Sequence, residues 1–290
     1  MSKISIVSKH KGCHGSFLNL LDFQDYLIRQ GIEVDFYTDS IDEFTRNLLK
    51  TKRQYKLGKI FQFAPDLGEI NCYNHNVVTD FKTLCVLPNK IRCKKLTIFD
   101  NAELTYHLRG ITIWFYPIDI KDIRKRLFWH DFMDYIFLMP PSDHWRFSQK
   151  YPDLRADIFF KKINVDVLKT IKRKNNKKQF FRIEDGSGEA ANYVALEDPT
   201  NRILEEFPYA EKLTDLTKAF DYGTYIYYRR KDRAYLEQFG RLIFEFLLLN
   251  KGVVFFDEPC SREDGLCDYW EEYKDDVFKM EKDYEEKPWL

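Results

Sequence analysis

Short β-branched and aromatic runs alternate along this chain with stretches whose apolar residues recur at helical spacing, the pattern of an α/β protein. Residues 4–7 predict a first strand and Glu33–Thr38 a second. Between them Leu18, Leu20, Leu21, Leu27 and Ile28 form the apolar side of a helix over residues 17–29, with Ser16 as N-cap and Gly31 as C-cap. The opening is therefore a βαβ unit. Residues 41–60 predict a helix that passes into a basic segment. Further strands are expected over 96–100, 111–116 and 135–139. A second series starts at 179–184 and continues with a strand over 225–228, a helix over about 240–251 and a strand from 253 to 256. Asn250 or Gly252 can close that helix with a left-handed residue.

At 290 residues and 35.0 kDa the chain accommodates two domains. With 44% hydrophobic and 17% aromatic residues it can bury substantial cores, which excludes wholesale disorder. No N-terminal apolar run suits a signal peptide, and 242–249 is too short to span a bilayer. Cys13, Cys72, Cys85, Cys93, Cys260 and Cys267 form no CxxC pair and no zinc-type pattern with histidine. They are expected to be reduced thiols in a cytoplasmic protein with no bound metal. The formal net charge is zero, yet residues 1–180 carry 31 Lys and Arg against 20 Asp and Glu. The excess is reversed in the remainder, so the chain is strongly dipolar.

The most informative stretch is Glu237-Gln-Phe-Gly-Arg-Leu-Ile-Phe-Glu245, followed by an apolar run, a turn and Val253-Val254. Glu237 falls in the loop before the helix, and Gly240 lies at its entrance, where unpaired N–H groups attract an anion. Glu245 stands between Phe244 and Phe246, where a carboxylate is costly without a cleft or a partner. One reading leaves Glu237 solvated and pairs Glu245 with a lysine or arginine. The other is functional. The nonapeptide resembles the E-x7-E signature of retaining glycosyltransferases of GT-B architecture, in the form E-x-F-G-x4-E. That resemblance implies two Rossmann-like domains facing each other across a cleft, the C-terminal one abbreviated. Glu245 would hold the ribose of a nucleotide-sugar, Glu237 would lie beside the transferred sugar, and Phe239, Gly240 and Arg241 would border the diphosphate.

Other segments fit the same plan. The loop of residues 9–16, with Gly12 and Gly15, resembles the first glycine loop of a GT-B N-terminal domain, and lacks the three-glycine spacing of a nicotinamide site. Asp39 is expected in a turn. Asp100, at a strand end, is a candidate for orienting an acceptor hydroxyl; His130 and His144 carry no assigned role. Ile163-Asn-Val-Asp is similar to the Asn-Gly-Val-Asp segment between GT-B domains, and the polar run of 172–178 follows it. The expected divisions are 1–170, 171–265, and a C-terminal helix over 266–290 that crosses back. By resemblance Arg182 grips the donor diphosphate, but the lysine that accompanies it in the family is missing. Lys178, or the run of 229–233 with Arg230, are candidate substitutes.

The resemblance implies sugar transfer from a nucleotide-sugar, expected to be a UDP-sugar, with retention of configuration and no cofactor. Basic clusters at 50–59, 90–95 and 121–126 favour a polyanionic acceptor. With the small size, they resemble bacteriophage glycosyltransferases that decorate hydroxymethylated pyrimidines in DNA, so the expected partner is modified double-stranded DNA, in the host cytoplasm if the chain is of phage origin. The alternatives are a surface-glycan or lipid-linked acceptor, or a non-catalytic nucleic-acid-binding Rossmann relative.

Overall fold

The computed structural model describes residues 3–8, 15–62, 75–78, 95–99, 134–139, 141–159, 163–171, 176–182, 199–228 and 241–256. The chain divides into two compact units between Asn164 and Val165.

The first unit is built on a seven-stranded sheet. Its strands are β1 (Lys3–Ser8), β2 (Glu33–Thr38), β3 (Lys59–Gln62), β4 (His75–Val78), β5 (Lys95–Phe99), β6 (Asp134–Met139) and β7 (Ala156–Ile158). They lie in the order β3-β2-β1-β4-β5-β6-β7, and every pair is parallel. Parallel neighbours need crossovers, and two are α1 (Gly15–Arg29) and α2 (Ile41–Thr51). Five of six residues in β1 and in β2 are buried, as expected of strands covered on both faces. Phe44 of α2 joins the layers: its ring centroid lies 5.4 Å from Phe17 of α1 and 4.8 Å from Phe36 of β2. A third helix, α3 (Pro141–Lys150), returns the chain to the edge strand β7. There the Ile158 amide donates to the Asp157 carboxylate at 2.8 Å, so the side chain of the preceding residue occupies one edge donor.

The polypeptide chooses these ends for local reasons. Ser40 caps α2 by accepting from the Glu43 amide at 3.2 Å, with Asp42 and Glu43 in the first turn. Lys52 ends it in the left-handed region at φ 55°. Gly31 at φ +77° follows α1, as expected of its C-cap. The helix begins at Gly15, so Ser16 lies inside the first turn rather than ahead of it. Asp39 is in the bend before α2.

The second unit contains α4 (Val165–Lys169), β8 (Gln179–Phe181), α5 (Thr200–Glu206), β9 (Glu211–Lys212), a 3-10 turn (Leu216–Asp221), β10 (Thr224–Tyr228), α6 (Arg241–Leu248) and β11 (Gly252–Phe256). Its strands are parallel in the order β11-β10-β8-β9. The Asn-Val-Asp segment read as a linker includes α4, whose Val165, Val167 and Leu168 are buried. Strand β8 ends at Phe181, before the expected 184. Asn250 closes α6 at φ 54°, as its position after the apolar run predicts.

At the amino ends of these strands the chain is tightly laced. Lys178 pairs with Glu211 at 2.8 Å, and the Tyr222 hydroxyl donates to the same carboxylate at 2.5 Å. The hydrogen bond from Lys178, then that from Tyr222, lowers the Glu211 pKa. Its bond to Glu211 pushes the Tyr222 phenol up to about 12. Lys251 donates to the carbonyls of Phe220 at 3.0 Å and Tyr222. A Cβ on Gly223 would lie 2.1 Å from the Asn176 carbonyl, so glycine is required by contact there.

Candidate functional site

In open parallel sheets a crevice forms beyond the carboxyl ends of the strands, where the strand order reverses. The second unit reverses between β8 and β10. Arg182 is the residue after β8, half-buried, so it stands at that reversal. The unit β10-α6-β11 returns to the same edge: a helix joining two parallel strands runs against them, which brings the amino end of α6 to their carboxyl ends. Arg182 and the first residue of α6, Arg241, therefore belong to one edge of one sheet. An arginine and a helix amino terminus at that edge suit an anion.

Packing fixes α6 firmly. Ile243, Phe244 and Phe246 are fully buried. The Phe246 ring lies 5.7 Å from Phe180, 5.9 Å from Tyr225 and 5.7 Å from Phe220, so it anchors the helix to β8, to β10 and to the 3-10 turn. Phe180 and Tyr225 stack at 4.9 Å across the neighbouring strands. This aromatic group determines where the adjacent Glu245 sits.

Glu245 is only 2% exposed, and its Oε1 accepts from Arg241 Nε at 2.6 Å. Arg241 is itself 7% exposed. The pair spans one helical turn, the i,i+4 spacing that brings side chains together. A carboxylate between two phenylalanines thus has a cation as its partner. A buried polar group needs a hydrogen-bonded partner, and the guanidinium holds the carboxylate in one orientation.

Of the other expected site residues, Gly15 is the first residue of α1, which follows β1 at the first sheet's own reversal between β1 and β4. Asp100, Arg230, Glu237, Phe239 and Gly240 lie outside the described residues, as do His130, the clusters at 90–94 and 121–126, and the helix expected over 266–290. Lys178 precedes β8 and pairs with Glu211, which puts it at the strand end opposite Arg182. It is not a neighbour of the carboxyl-edge cations. His144 is half-buried, with a ring nitrogen 3.4 Å from the Ala156 carbonyl oxygen, a local tie between α3 and β7. Among the described residues no three His, Cys, Asp or Glu side chains converge on a metal position. No described helix is long and apolar enough to cross a membrane.

Sequence reasoning missed Asp25. This fully buried carboxylate of α1 accepts from the Arg29 side chain, from the Lys56 amide at 2.5 Å and from Asn164 Nδ2 at 2.6 Å. It thereby gathers the segment after α2 and Asn164 onto one helix. Arg29 is its i,i+4 neighbour, but the other two partners lie 31 and 139 positions away, so no local pattern could announce the junction.

No protein-family model matches the chain, and no curated protein matches its sequence. Solved structures do. The structure of Anabaena HepE in complex with UDP and glucose is similar at a TM-score of 0.51 and 11% identity, with 97% of this chain and 92% of that chain covered. WaaG, described as a glycosyltransferase involved in lipopolysaccharide biosynthesis, aligns at a TM-score of 0.46 and 11% identity over 98% of each chain. The likeness to HepE, over nearly the whole of both chains, shows the fold: parallel Rossmann-like α/β units of GT-B type.

Proposed function

We propose that this chain is a glycosyltransferase that transfers a sugar from a nucleotide-sugar, UDP-linked, to a hydroxyl on a modified base in DNA, with retention of configuration. The observation that carries the reading is Glu245: a buried carboxylate, held by Arg241, in the helix of a strand-helix-strand unit where the E-x7-E pattern puts the ribose-binding glutamate. The UDP and glucose in the HepE complex support the donor class. The positive excess of residues 1–180 supports a polyanionic acceptor.

In this reading the sugar's anomeric carbon leaves the diphosphate oxygen as the acceptor hydroxyl oxygen bonds to the same face. The acceptor proton passes to the departing phosphate. Glu245 receives the ribose hydroxyls, and Glu237 positions the sugar. Arg182, Arg230 and the α6 entrance at Phe239, Gly240 and Arg241 neutralise the charge that develops on the diphosphate. Asp100 orients the acceptor hydroxyl, and Gly15 contributes to binding the nucleotide-sugar. No cofactor beyond the nucleotide-sugar takes part.

The test is transfer of radiolabel from a panel of nucleotide-sugars onto plain DNA, hydroxymethylcytosine DNA, glucosylated hydroxymethylcytosine DNA and a glycolipid extract. Label in modified DNA alone is expected, and identifies the donor. Label in the glycolipid moves the acceptor to a lipid-linked glycan. Absence of any donor turnover overturns the enzymatic reading.

A further inference from the structure

The first unit carries a basic surface of its own. From residue 44 to residue 65 the chain contains no Asp or Glu. Helix α2 turns Phe44, Asn47 and Thr51 inward and leaves Arg46, Leu49 and Lys50 exposed on one side. In the segment that follows, burial alternates. Arg53, Tyr55 and Leu57 are wholly or half buried, the latter two packed against the core, whereas Lys52 and Lys56 are exposed. Lys59, the first residue of the edge strand β3, is exposed as well.

This surface is held in place. The Lys56 amide donates to the buried Asp25 at 2.5 Å, and the Thr51 hydroxyl accepts from the Arg53 amide at 3.2 Å. Because α2 runs against the strands, its last turn and the start of β3 meet at the amino end of the sheet. Lys50 and Lys52 at a helix carboxyl terminus have an ordinary role in offsetting the helix dipole. That role does not extend to Arg46, Lys56 or Lys59. Among the described residues the side chains of Arg46, Lys50, Lys56 and Lys59 form no ion pair.

We propose that Arg46, Lys50, Lys52, Lys56 and Lys59, none of them among the residues assigned to sugar transfer, form a docking surface for the phosphate backbone of a nucleic-acid duplex. The row is cationic and pinned to a folded scaffold, which suits a regular array of phosphates. Leu49, 74% exposed, is the one large apolar side chain in it. Insertion into a membrane interface calls for a broad apolar face opposite the charges, which this helix keeps turned to the sheet. The choice of partner rests on the polyanionic acceptor of the proposed function; the location of the surface does not. A strand of six residues is about 20 Å long, so a duplex lying along the β3 edge reaches from this row toward the opposite end of the sheet. Such an anchor would bind without reading sequence, while the reacting base is engaged elsewhere.

The experiment is fluorescence anisotropy of a labelled 25-base-pair duplex titrated with the full chain at several salt concentrations. The variant K50E/K56E/K59E is compared with K169E/K177E/K218E, which makes the same change in net charge at exposed lysines outside the row. The first variant is expected to bind at least about 30-fold more weakly, with the salt slope reduced by about 2 to 3; the second is expected to stay within about 3-fold of the parent. Circular dichroism and UDP binding confirm that both remain folded. Equal losses in the two variants, or no loss in the first, overturn the proposal. So does lysine-dependent binding to vesicles of anionic phospholipid without binding to the duplex. Absence of sugar transfer in the parent, with duplex binding still dependent on the row, would defeat the enzymatic reading and leave this surface standing.

Discussion

Arg241 and Glu245 make the residue-scale argument testable because structure and chemistry predict different responses. Removing one partner of a buried pair strands the other charge, at a cost of about 3–5 kcal/mol. R241M is therefore expected to lower the urea midpoint strongly. The double variant R241M/E245M has no stranded charge and is expected to recover most of that stability while binding UDP at least about 10-fold more weakly than the parent. Recovery of both stability and UDP affinity would remove Glu245 from the site. Glu237→Ala carries the chemical half of the proposal. It is expected to reduce sugar transfer by at least about 100-fold while the thermal midpoint moves by no more than a few degrees, and full activity in that variant sinks its assignment. The sequence announced that Glu245 needed a reason to be where it is, because two phenylalanines flank it. It left open whether the reason was a ligand or a cation, and the structure supplies a cation one turn earlier without removing the ligand. The junction at Asp25 was not legible, since Lys56 and Asn164 reach it only when the chain folds.

At the scale of elements, what the sequence revealed depended on length and burial. The strands β1, β2, β6, β10 and β11 and the helices α1, α2 and α6 carry apolar runs or helical spacing long enough to read. Strand β9 is two exposed residues, Glu211 and Lys212, and β7 is Ala-Asp-Ile; neither has a periodicity to detect. Helix α3 is mostly polar, with Phe147 as its fully buried anchor, so its pattern resembles a loop. The close approaches that join elements were likewise hidden. A Cβ on Gly58 would come within 1.8 Å of the Val34 carbonyl oxygen, and one on Gly223 within 2.1 Å of that of Asn176. Each alanine substitution must displace backbone and is expected to cost about 1–3 kcal/mol. Since the glycines belong to different units, calorimetry gives a sharper readout: if the units melt separately, G58A lowers one transition and G223A the other. A single transition lowered equally by both would show that the units unfold together.

For the whole molecule, pH is the broadest probe. Tyr222 keeps its proton in the fold to about pH 12, against about 10 for an ordinary phenol, chiefly because it donates to Glu211. A raised pKa means that the folded state favours the protonated phenol. The stabilisation is fully present below about pH 10 and disappears as pH rises toward 12. Glu211 works in the other direction: its lowered pKa contributes above the ordinary carboxylate value and is lost as pH falls through the lowered one. Ultraviolet titration of the parent against Y222F is expected to show one phenol ionising near pH 12 that the variant lacks. Coincident titration curves with a phenol near 10 would mean that the bond to Glu211 does not persist in solution. At this scale composition showed an uneven charge. It could not say that the residue-50 cluster is fixed at the amino end of a sheet, because that depends on the direction of α2 and on the tie to Asp25.

The short edge strand of the first sheet has a practical consequence. Strand β7 presents Ile158, 37% exposed, on a sheet margin that would otherwise offer its amides to any passing extended peptide. Asp157 occupies the Ile158 donor and puts a negative charge at the same place. The protein should therefore stay clear and monodisperse when concentrated, whereas D157A should scatter light and form thioflavin-positive material at concentrations the parent tolerates.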